Sequence, residues 1–533
     1  MKSSLVIAPY FTNGGYPPLG AAYVNAALRD SRCSVSVFDI QYVFRRDNPH
    51  LYEFLRSTIN VARETNVIPF VLDLKFLLYS FYHHQFPQFD WELTARSGRW
   101  YRLRCRVLEQ LLRSWTRRYA AAILETDPHV VLFSTYVSNL LFSLLLAKEI
   151  RAKAPGVGIL FGGPGCATAE VQELVLRSGA VDVIAIGDAD RRVRYLARSV
   201  ALQTSADSNA PDHVILRNGR LHYIRSLRTE DEDALLPSYD GFPIPGGSLF
   251  DYQRNWGAEF RSRVFSQFLL PIDCSRGCDR RCAYCSESGL GRRRYQRSPE
   301  HVVQILEKLR TIGCATCISF NDSLFNHNEA WHDALLERLE GNAMDFEWWA
   351  YYHPGAGLRE DTIRRMRRAG CRMVTLGVDS FYAATLRAMR RPMHIEDCLR
   401  NLMQLSNNGI TTHFALLTGF PGHNVEELGV ECEMTGRALE SLRRGVGRSP
   451  LFLIKAGSLV RVEPNADLCQ NAAAYNVEIK TEPIRLPAEL GHVTEAAINL
   501  SLSWQDGVPF VEKRRAALRL RRVVRRLLPG CLT

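Results

Sequence analysis

The first two hundred residues alternate short, β-branched apolar runs with stretches of helical spacing. Leu5–Ala8, Val35–Phe38, Val130–Ser134, Gly158–Phe161 and Val183–Ile186 are the strand candidates. The segments between them suit crossover helices, so the pattern predicts a doubly wound parallel sheet over residues 1–202. An insertion over 45–125, rich in aromatics and arginine at helical spacing, is expected to cover one face. Residues 203–260 are first small and polar, then rich in proline and glycine, and read as linker and hairpin. A second alternating series starts near Phe268, with strands Leu269–Pro271, Cys317–Phe320, Phe346–Ala350, Met373–Gly377 and His413–Thr418. Helices Pro299–Leu309, Glu329–Leu339, Asp361–Ala369 and Ile395–Asn407 fall between them. This predicts a full or partial parallel barrel over 261–440, with its chemistry at the C-terminal ends of the strands. Residues 441–533 are expected to form a small C-terminal helical domain, so the fold class is α/β throughout its two main parts.

Charge changes this picture in one place. The net charge is +11, but Glu512–Arg526 alone holds eight basic residues against one acidic, leaving the body nearly balanced. Ala517, Leu518, Leu520, Val523, Val524, Leu527 and Leu528 share one helical face there, with the arginines opposite read as a solvated surface, docking of an acidic leader peptide or carrier and contact with a membrane surface being the alternatives. A nucleic-acid partner is not expected, since the tail lacks aromatics on which bases could stack. Both of the most apolar stretches, Ile68–Phe81 and Val130–Ala147, are interrupted by polar residues and neither spans a membrane. No basic leader followed by a long apolar run opens the chain, and most of the 14 cysteines are isolated. A reducing cytoplasm is expected, where clustered cysteines bind metal rather than pair.

One such cluster exists. Cys278, Cys282 and Cys285 lie within eight residues, directly after a predicted strand. Soft thiolates at this spacing select zinc or an iron-sulfur cluster. A structural zinc site is normally closed by a fourth ligand, whereas a three-cysteine cluster leaves one iron open. Cys274 offers a competing first ligand but has no cysteine in the matching later position, and is read as a supporting or core thiol. Cys314 and Cys317 form a Cys-x2-Cys pair at the entrance of an apolar strand and are read as core.

The spacing Cys-x3-Cys-x2-Cys with Tyr284 before the last cysteine resembles the signature of radical S-adenosylmethionine (SAM) enzymes, and Ser275-Arg-Gly-Cys278 resembles the lead-in of their cobalamin-dependent branch. The resemblance implies a 4Fe-4S cluster whose open iron chelates SAM, reductive cleavage to a 5′-deoxyadenosyl radical, and an electron donor such as flavodoxin or ferredoxin. Further matches follow in barrel order. Phe320-Asn-Asp322 ends the second strand where the family meets the methionine amino end; Leu376-Gly-Val-Asp379-Ser380 resembles the ribose-contacting segment, with Asp for the usual Glu; Gly419-Phe-Pro-Gly422 resembles the turn after the fifth strand. Tyr284, Asp322, Asp379, Ser380 and Gly419 are therefore the expected SAM contacts. Arg292, Arg293, Arg294 and Arg297 are read as exposed, with steering of anionic groups as the alternative.

In the first domain, Pro17-Pro18-Leu19-Gly20, Ser134-Thr135, Gly162-Gly163-Pro164 and Gly187-Asp-Ala-Asp190 fall at successive strand ends, the ligand edge of a doubly wound sheet. The pattern resembles the cobalamin-binding domain preceding many radical SAM barrels, in the subset that matures ribosomally made peptides. Pro18, Leu19, Gly20, Ser134, Thr135, Gly162, Gly163, Pro164 and Gly187 are the expected cobalamin contacts. No usable Asp-x-His-x-x-Gly loop is present: Asp127-Pro-His129 imitates its start, but Leu132 replaces the glycine and the segment leads into a strand. Cobalamin is thus expected without a histidine lower ligand.

The combination implies a monomeric C-methyltransferase acting through methylcobalamin on an unactivated carbon of a natural-product precursor, peptide or small molecule. Two alternatives stay open: a radical rearrangement or cyclisation without methylation, and a non-catalytic cobalamin or zinc protein. Trp348, Trp349, Tyr351, Tyr352 and His353 end a strand, and either line the cavity or belong to the core.

Overall fold

The structure, a computed structural model, describes residues 1–8, 18–49, 113–136, 139–189, 192–206, 209–225, 235–242, 264, 269–289, 295–311, 317–341, 346–355, 358–391, 393–447, 450–460, 466–482 and 501–532. It divides into two compact units: Met1–Ile244 with Lys480–Ser503, and Pro245–Ile479 with Trp504–Thr533. Most of the predicted insertion, Pro17, Ser138, Asp190, Arg292–Arg294, Cys105 and Cys314 lie outside the described residues.

The first unit is built on a seven-stranded sheet. Strands β1 (Lys2–Ile7), β2 (Ser34–Asp39), β3 (Val130–Ser134), β4 (Gly158–Gly162) and β5 (Val183–Ala185) are parallel. Helices α1 (Leu19–Asp30), α2 (Ile40–Asp47), α3 (Leu140–Lys153), α4 (Ala169–Arg177) and α5 (Val193–Ala201) alternate with them. All residues of β1 but the first are buried, as are all three of β5, which is why Leu5–Ile7 and Val183–Ala185 are continuous apolar runs rather than alternating ones. Phe133 and Phe161 of adjacent strands meet with ring centroids 4.8 Å apart in the core. The spatial order runs β2-β1-β3-β4-β5, so direction reverses between β1 and β3. A ligand crevice is expected outside the C-terminal ends of that pair.

The sheet does not end at the predicted boundary. β6 (His213–Arg217) and β7 (Arg220–Ile224), a hairpin within the segment read as linker and hairpin, add to it as an antiparallel edge. Asn218 and Gly219 turn this hairpin, both with positive φ (51° and 72°). An Asn-Gly pair favours that two-residue turn because both positions must be left-handed.

The second unit holds six parallel strands in chain order: β8 (Leu269–Ile272), β11 (Cys317–Phe320), β12 (Glu347–Tyr352), β13 (Cys371–Asp379), β14 (Thr411–Thr418) and β15 (Phe452–Leu459). A short pairing of β9 (Ser275–Arg276) with β10 (Tyr295–Gln296) lies between the first two. Connecting helices are α6 (Pro299–Arg310), α7 (Glu329–Gly341), α8 (Glu360–Arg368), α9 (Ala383–Ala388), α10 (Ile395–Asn407) and α11 (Val425–Gly445). This is a partial barrel. Local chemistry sets the helix starts. Pro299 opens α6 behind a Ser298 cap, and α11 carries a reciprocal capping box between Asn424 and Glu427.

Two expectations change here. β15 pairs with β14 as the sixth strand, and the terminal helix α12 (Phe510–Leu527) packs on α11, β14 and β15, so residues 441–533 form no separate domain. The buried stripe of α12 is Lys513, Ala517, Leu520 and Val524, continued by Leu528, whereas Leu518 is 44% exposed. Lys513, one of the eight basic residues of this segment, turns inward to pair with buried Asp506 (Nζ–Oδ1 2.7 Å). Gly457 permits the close fit: a Cβ there would lie 2.6 Å from the Ala517 carbonyl oxygen. Among the described residues no helix is long and apolar enough to cross a membrane.

Candidate functional site

The cysteine loop leaves the C-terminal end of β8 and is held by two carboxylates. Asp322, at the end of β11, accepts from the Cys274 amide (3.0 Å) and from the Ser275 hydroxyl (2.5 Å). Asp273 receives Arg276 Nε (2.7 Å), the Tyr295 hydroxyl (3.1 Å) and Arg297 Nη2 (3.4 Å). Arg297 also donates its amide to the Cys274 carbonyl (2.8 Å), closing the loop. Arg297 is 1% exposed, which corrects the reading of it as a surface residue. Its charge is tolerable there because Asp273 and the Tyr295 ring enclose it. Cys274 is buried, and burial with the neighbouring Asp322 and Asp273 raises its thiol well above the ordinary range. It is a supporting thiol with an anchored backbone.

Further along, the Ala283 amide donates to the Met389 carbonyl (2.9 Å), and the Leu468 amide donates to the Ala283 carbonyl (2.8 Å). Ala283, Met389, Phe420, Val460 and Leu468 share a small apolar cluster, so the Gly-Phe-Pro-Gly turn supports the loop through Phe420. Gly419, at φ 75°, lies against the buried stem of Lys513.

Cys278 and Cys285 are half-buried and Cys282 is buried. The Cys285 thiol is pushed up to about 11, first by burial and then by the nearby Cys282, Glu287 and Cys278 charges, against the Glu287 amide. Three thiols within eight residues are a soft donor set that suits an iron-sulfur cluster. Among the described residues, no three His, Cys, Asp or Glu side chains already converge on one metal position. Cys282 and Cys285 flank a turn closed by the Cys285 amide on the Cys282 carbonyl (3.2 Å), and Cys278 stands four residues earlier in the loop.

Tyr284 and Asp379 meet beside this loop. The tyrosine hydroxyl donates to Asp379 Oδ2 (2.6 Å). Asp379 ends β13 at φ 61°, an uncommon conformation for a side-chain-bearing residue. Arg391, which the sequence reading missed, joins them: Nε is 3.1 Å from Asp379 Oδ2, Nη1 is 3.3 Å from the Tyr284 hydroxyl and 3.4 Å from Cys282 Sγ. It also donates to the Gly377 carbonyl (Nε 2.9 Å). Burial opposes its charge, but Asp379 and Tyr284 hold the guanidinium protonated, and burial with the Asp379 charge raises the Tyr284 phenol. Ser380 is spent differently. Its hydroxyl donates to buried Glu431 of α11 (2.8 Å), which also receives Thr385 (2.8 Å).

In the first unit, Ser134-Thr135, Gly162-Gly163-Pro164 and Gly187 lie at the C-terminal ends of β3, β4 and β5, while Pro18, Leu19 and Gly20 open α1 after β1. Asn139 ties two of these ends together, donating to the Ala8 (3.1 Å) and Ser134 (3.3 Å) carbonyls. Thr135 is fully buried, its amide and hydroxyl both on the Gly162 carbonyl (2.8 and 2.9 Å). It shapes the edge rather than presenting its hydroxyl. Gly163, at φ 101°, must be glycine, because a Cβ would lie 2.6 Å from the Thr135 carbonyl oxygen. Gly20, Gly163, Pro164 and Gly187 are exposed. The resulting ledge is mostly backbone and would let a large flat ligand approach closely. His129 stands at the other end of β3, its Nδ1 accepting from the Lys2 amide (3.2 Å), opposite to this ledge.

Comparison with known proteins agrees with this arrangement. The Radical SAM superfamily model matches residues 272–433. No curated protein matches the sequence. Among solved structures, the radical SAM methyltransferase TsrM from Kitasatospora setae, with cobalamin and a 4Fe-4S cluster bound, aligns at TM-score 0.63 and 15% identity, covering 100% of this chain and 90% of that one. The same enzyme with tryptophan and a SAM analogue gives TM-score 0.61, covering 98% and 88%. The cobalamin-dependent SAM radical enzyme OxsB gives TM-score 0.62 at 11% identity, covering 98% of this chain and 66% of that one.

Proposed function

Starting from a chain whose residues 272–433 are a radical SAM domain within a fold shared end to end with TsrM, we propose a cobalamin-dependent radical SAM C-methyltransferase. Its substrate is an unactivated carbon of a natural-product precursor. The observation that carries this reading is the pairing, in one chain, of a three-cysteine loop at a barrel strand end with a doubly wound sheet whose ligand edge is bare backbone. Cys278, Cys282 and Cys285 would hold the cluster. Tyr284, Asp379 and Arg391 would border bound SAM, and the ledge of Gly20, Gly163, Pro164 and Gly187 would receive the corrin. With His129 at the opposite edge, the corrin's lower face would have no histidine ligand from the Asp-x-His segment.

When bound, these groups supply the electron, the radical and the methyl carrier, while the protein positions them and keeps water out. The chain's own contributions are the loop anchored by Asp322 and Asp273, and the carboxylate of Asp379 oriented by Tyr284 and Arg391. A flavodoxin- or ferredoxin-type donor would deliver the electron, and a cytoplasmic monomer would suit that supply. The test is anaerobic reconstitution with iron, sulfide and hydroxocobalamin, then reductant, SAM and candidate precursors. The expected outcome is cluster absorbance, retained cobalamin, formation of both S-adenosylhomocysteine and 5′-deoxyadenosine, and a product heavier by one methyl group. Zinc without cluster absorbance would refute the enzyme reading. A product without an added carbon would refute methyl transfer.

A further inference from the structure

His353 immediately follows β12, on the strand-end edge that also carries the cysteine loop after β8 and Asp379 after β13. It is 8% exposed. Its backbone amide is fixed by Asn326 Oδ1 (2.8 Å), and its ring Nδ1 accepts from the Gly355 amide (3.0 Å). A nitrogen that accepts a backbone N–H carries no proton, so the neutral ring must hold its hydrogen on Nε2. That Nε2 is buried and has no hydrogen-bond partner among the described residues. Burial, with Arg391 and Arg280 nearby, holds the ring neutral by lowering its pKa to about 3. The ring is therefore locked in one tautomer with an unused donor.

Buried donors without partners are rare, and in a strand-end site the missing partner is commonly a ligand atom. The groups that act on His353 electrostatically define what that ligand must be. Arg391 lies against Cys282 and Asp379, while Arg280 and Asp279 belong to the turn between Cys278 and Cys282. The two guanidinium groups outweigh Asp279 in their effect on the ring, so a neutral N–H here suits an anionic oxygen.

We propose that His353 is a SAM-binding residue, its Nε2–H donating to the carboxylate of the SAM methionine moiety. This rests on the reading of the domain given above, in which the amino-acid end of SAM meets the cysteine loop. Neutral histidine adds the hydrogen bond without adding a third positive charge beside the sulfonium. Gly355 matters indirectly, since its amide selects the tautomer.

The experiment compares wild type, His353→Phe and His353→Gln after anaerobic reconstitution. Each is titrated calorimetrically with SAM and with 5′-methylthioadenosine, which lacks the carboxylate. His353→Phe is expected to weaken SAM by roughly ten- to a hundredfold while leaving 5′-methylthioadenosine within about threefold. His353→Gln, whose side-chain amide restores a donor, is expected to recover most of the loss. A damaged fold would weaken both ligands together and fail to be rescued, and that result overturns the assignment, as does unchanged SAM affinity in His353→Phe. If wild type assembles no cluster or binds no SAM, the domain reading itself fails, which is a distinct result.

Discussion

Replacing Asp273 by alanine should loosen the cysteine loop far more than a surface ion pair would. Asp273 is 4% exposed and faces Arg297, 1% exposed, and Arg276, whose side chain is 15% exposed. Little solvent is available to screen the charges left behind. Removing one partner of a buried pair typically costs about 3–5 kcal/mol, because the remaining ion is buried without compensation. Asparagine keeps an acceptor for Arg276 or Tyr295 and should cost about half as much. The loss is local, so native-state hydrogen exchange on the apoprotein is the suitable assay. The Cys274 amide, bonded to Asp322, and the Arg297 amide, bonded to the Cys274 carbonyl, report directly on loop opening. At about 1.4 kcal/mol per factor of ten, Asp273→Ala should speed their exchange by about 10²- to 4 × 10³-fold. Adding Arg297→Met removes the orphaned charge, so the double variant should recover at least about tenfold of that protection. Exchange changed by less than about fivefold, or strictly additive effects, would refute the claim that this ion pair holds the loop.

Three other substitutions probe different levels of the structure. A Cβ at Gly377 would overlap Arg391 Nη2, so Gly377→Ala should displace the guanidinium from Asp379; SAM affinity of the reconstituted enzyme should fall by at least about tenfold, measured by equilibrium dialysis, and Arg391→Met should show a similar loss. Asp39, which caps α2 by accepting from the Tyr42 amide, has its carboxyl raised to about 6 by burial. A raised acid binds its proton more tightly in the folded state, so its contribution is full below about pH 4 and is lost as pH rises through about 6. Asp39→Asn, which keeps the cap without the charge, should therefore raise the stability of the first unit by about 2–3 kcal/mol at pH 8 and flatten this segment of its pH profile. Thermal unfolding of both proteins at pH 5 and pH 8 checks this.

Much of the architecture is written locally. Strands buried on both faces must be apolar runs, so β1, β3, β4 and β5 are visible from composition alone. The three cysteines are close in sequence, and their placement after an apolar run puts them at a strand end without knowledge of any other residue. β15 was harder to see, because Lys455 and Gly457 interrupt its pattern, and its membership in the sheet depends on pairing with β14.

What only the tertiary structure decided is which charged groups stop being surface. Arg297, Arg391 and Lys513 sit in arginine- or lysine-rich stretches indistinguishable from solvated ones, yet the side chain of each is at most 10% exposed because a carboxylate meets it: Asp273, Asp379 and Asp506. The same holds for His353, whose tautomer is set by a glycine amide and whose idle nitrogen is a fact of packing. Period and composition report a residue's average preference for water. A buried charge reverses that preference through one specific partner, and the identity of that partner is fixed by three-dimensional proximity rather than by order along the chain.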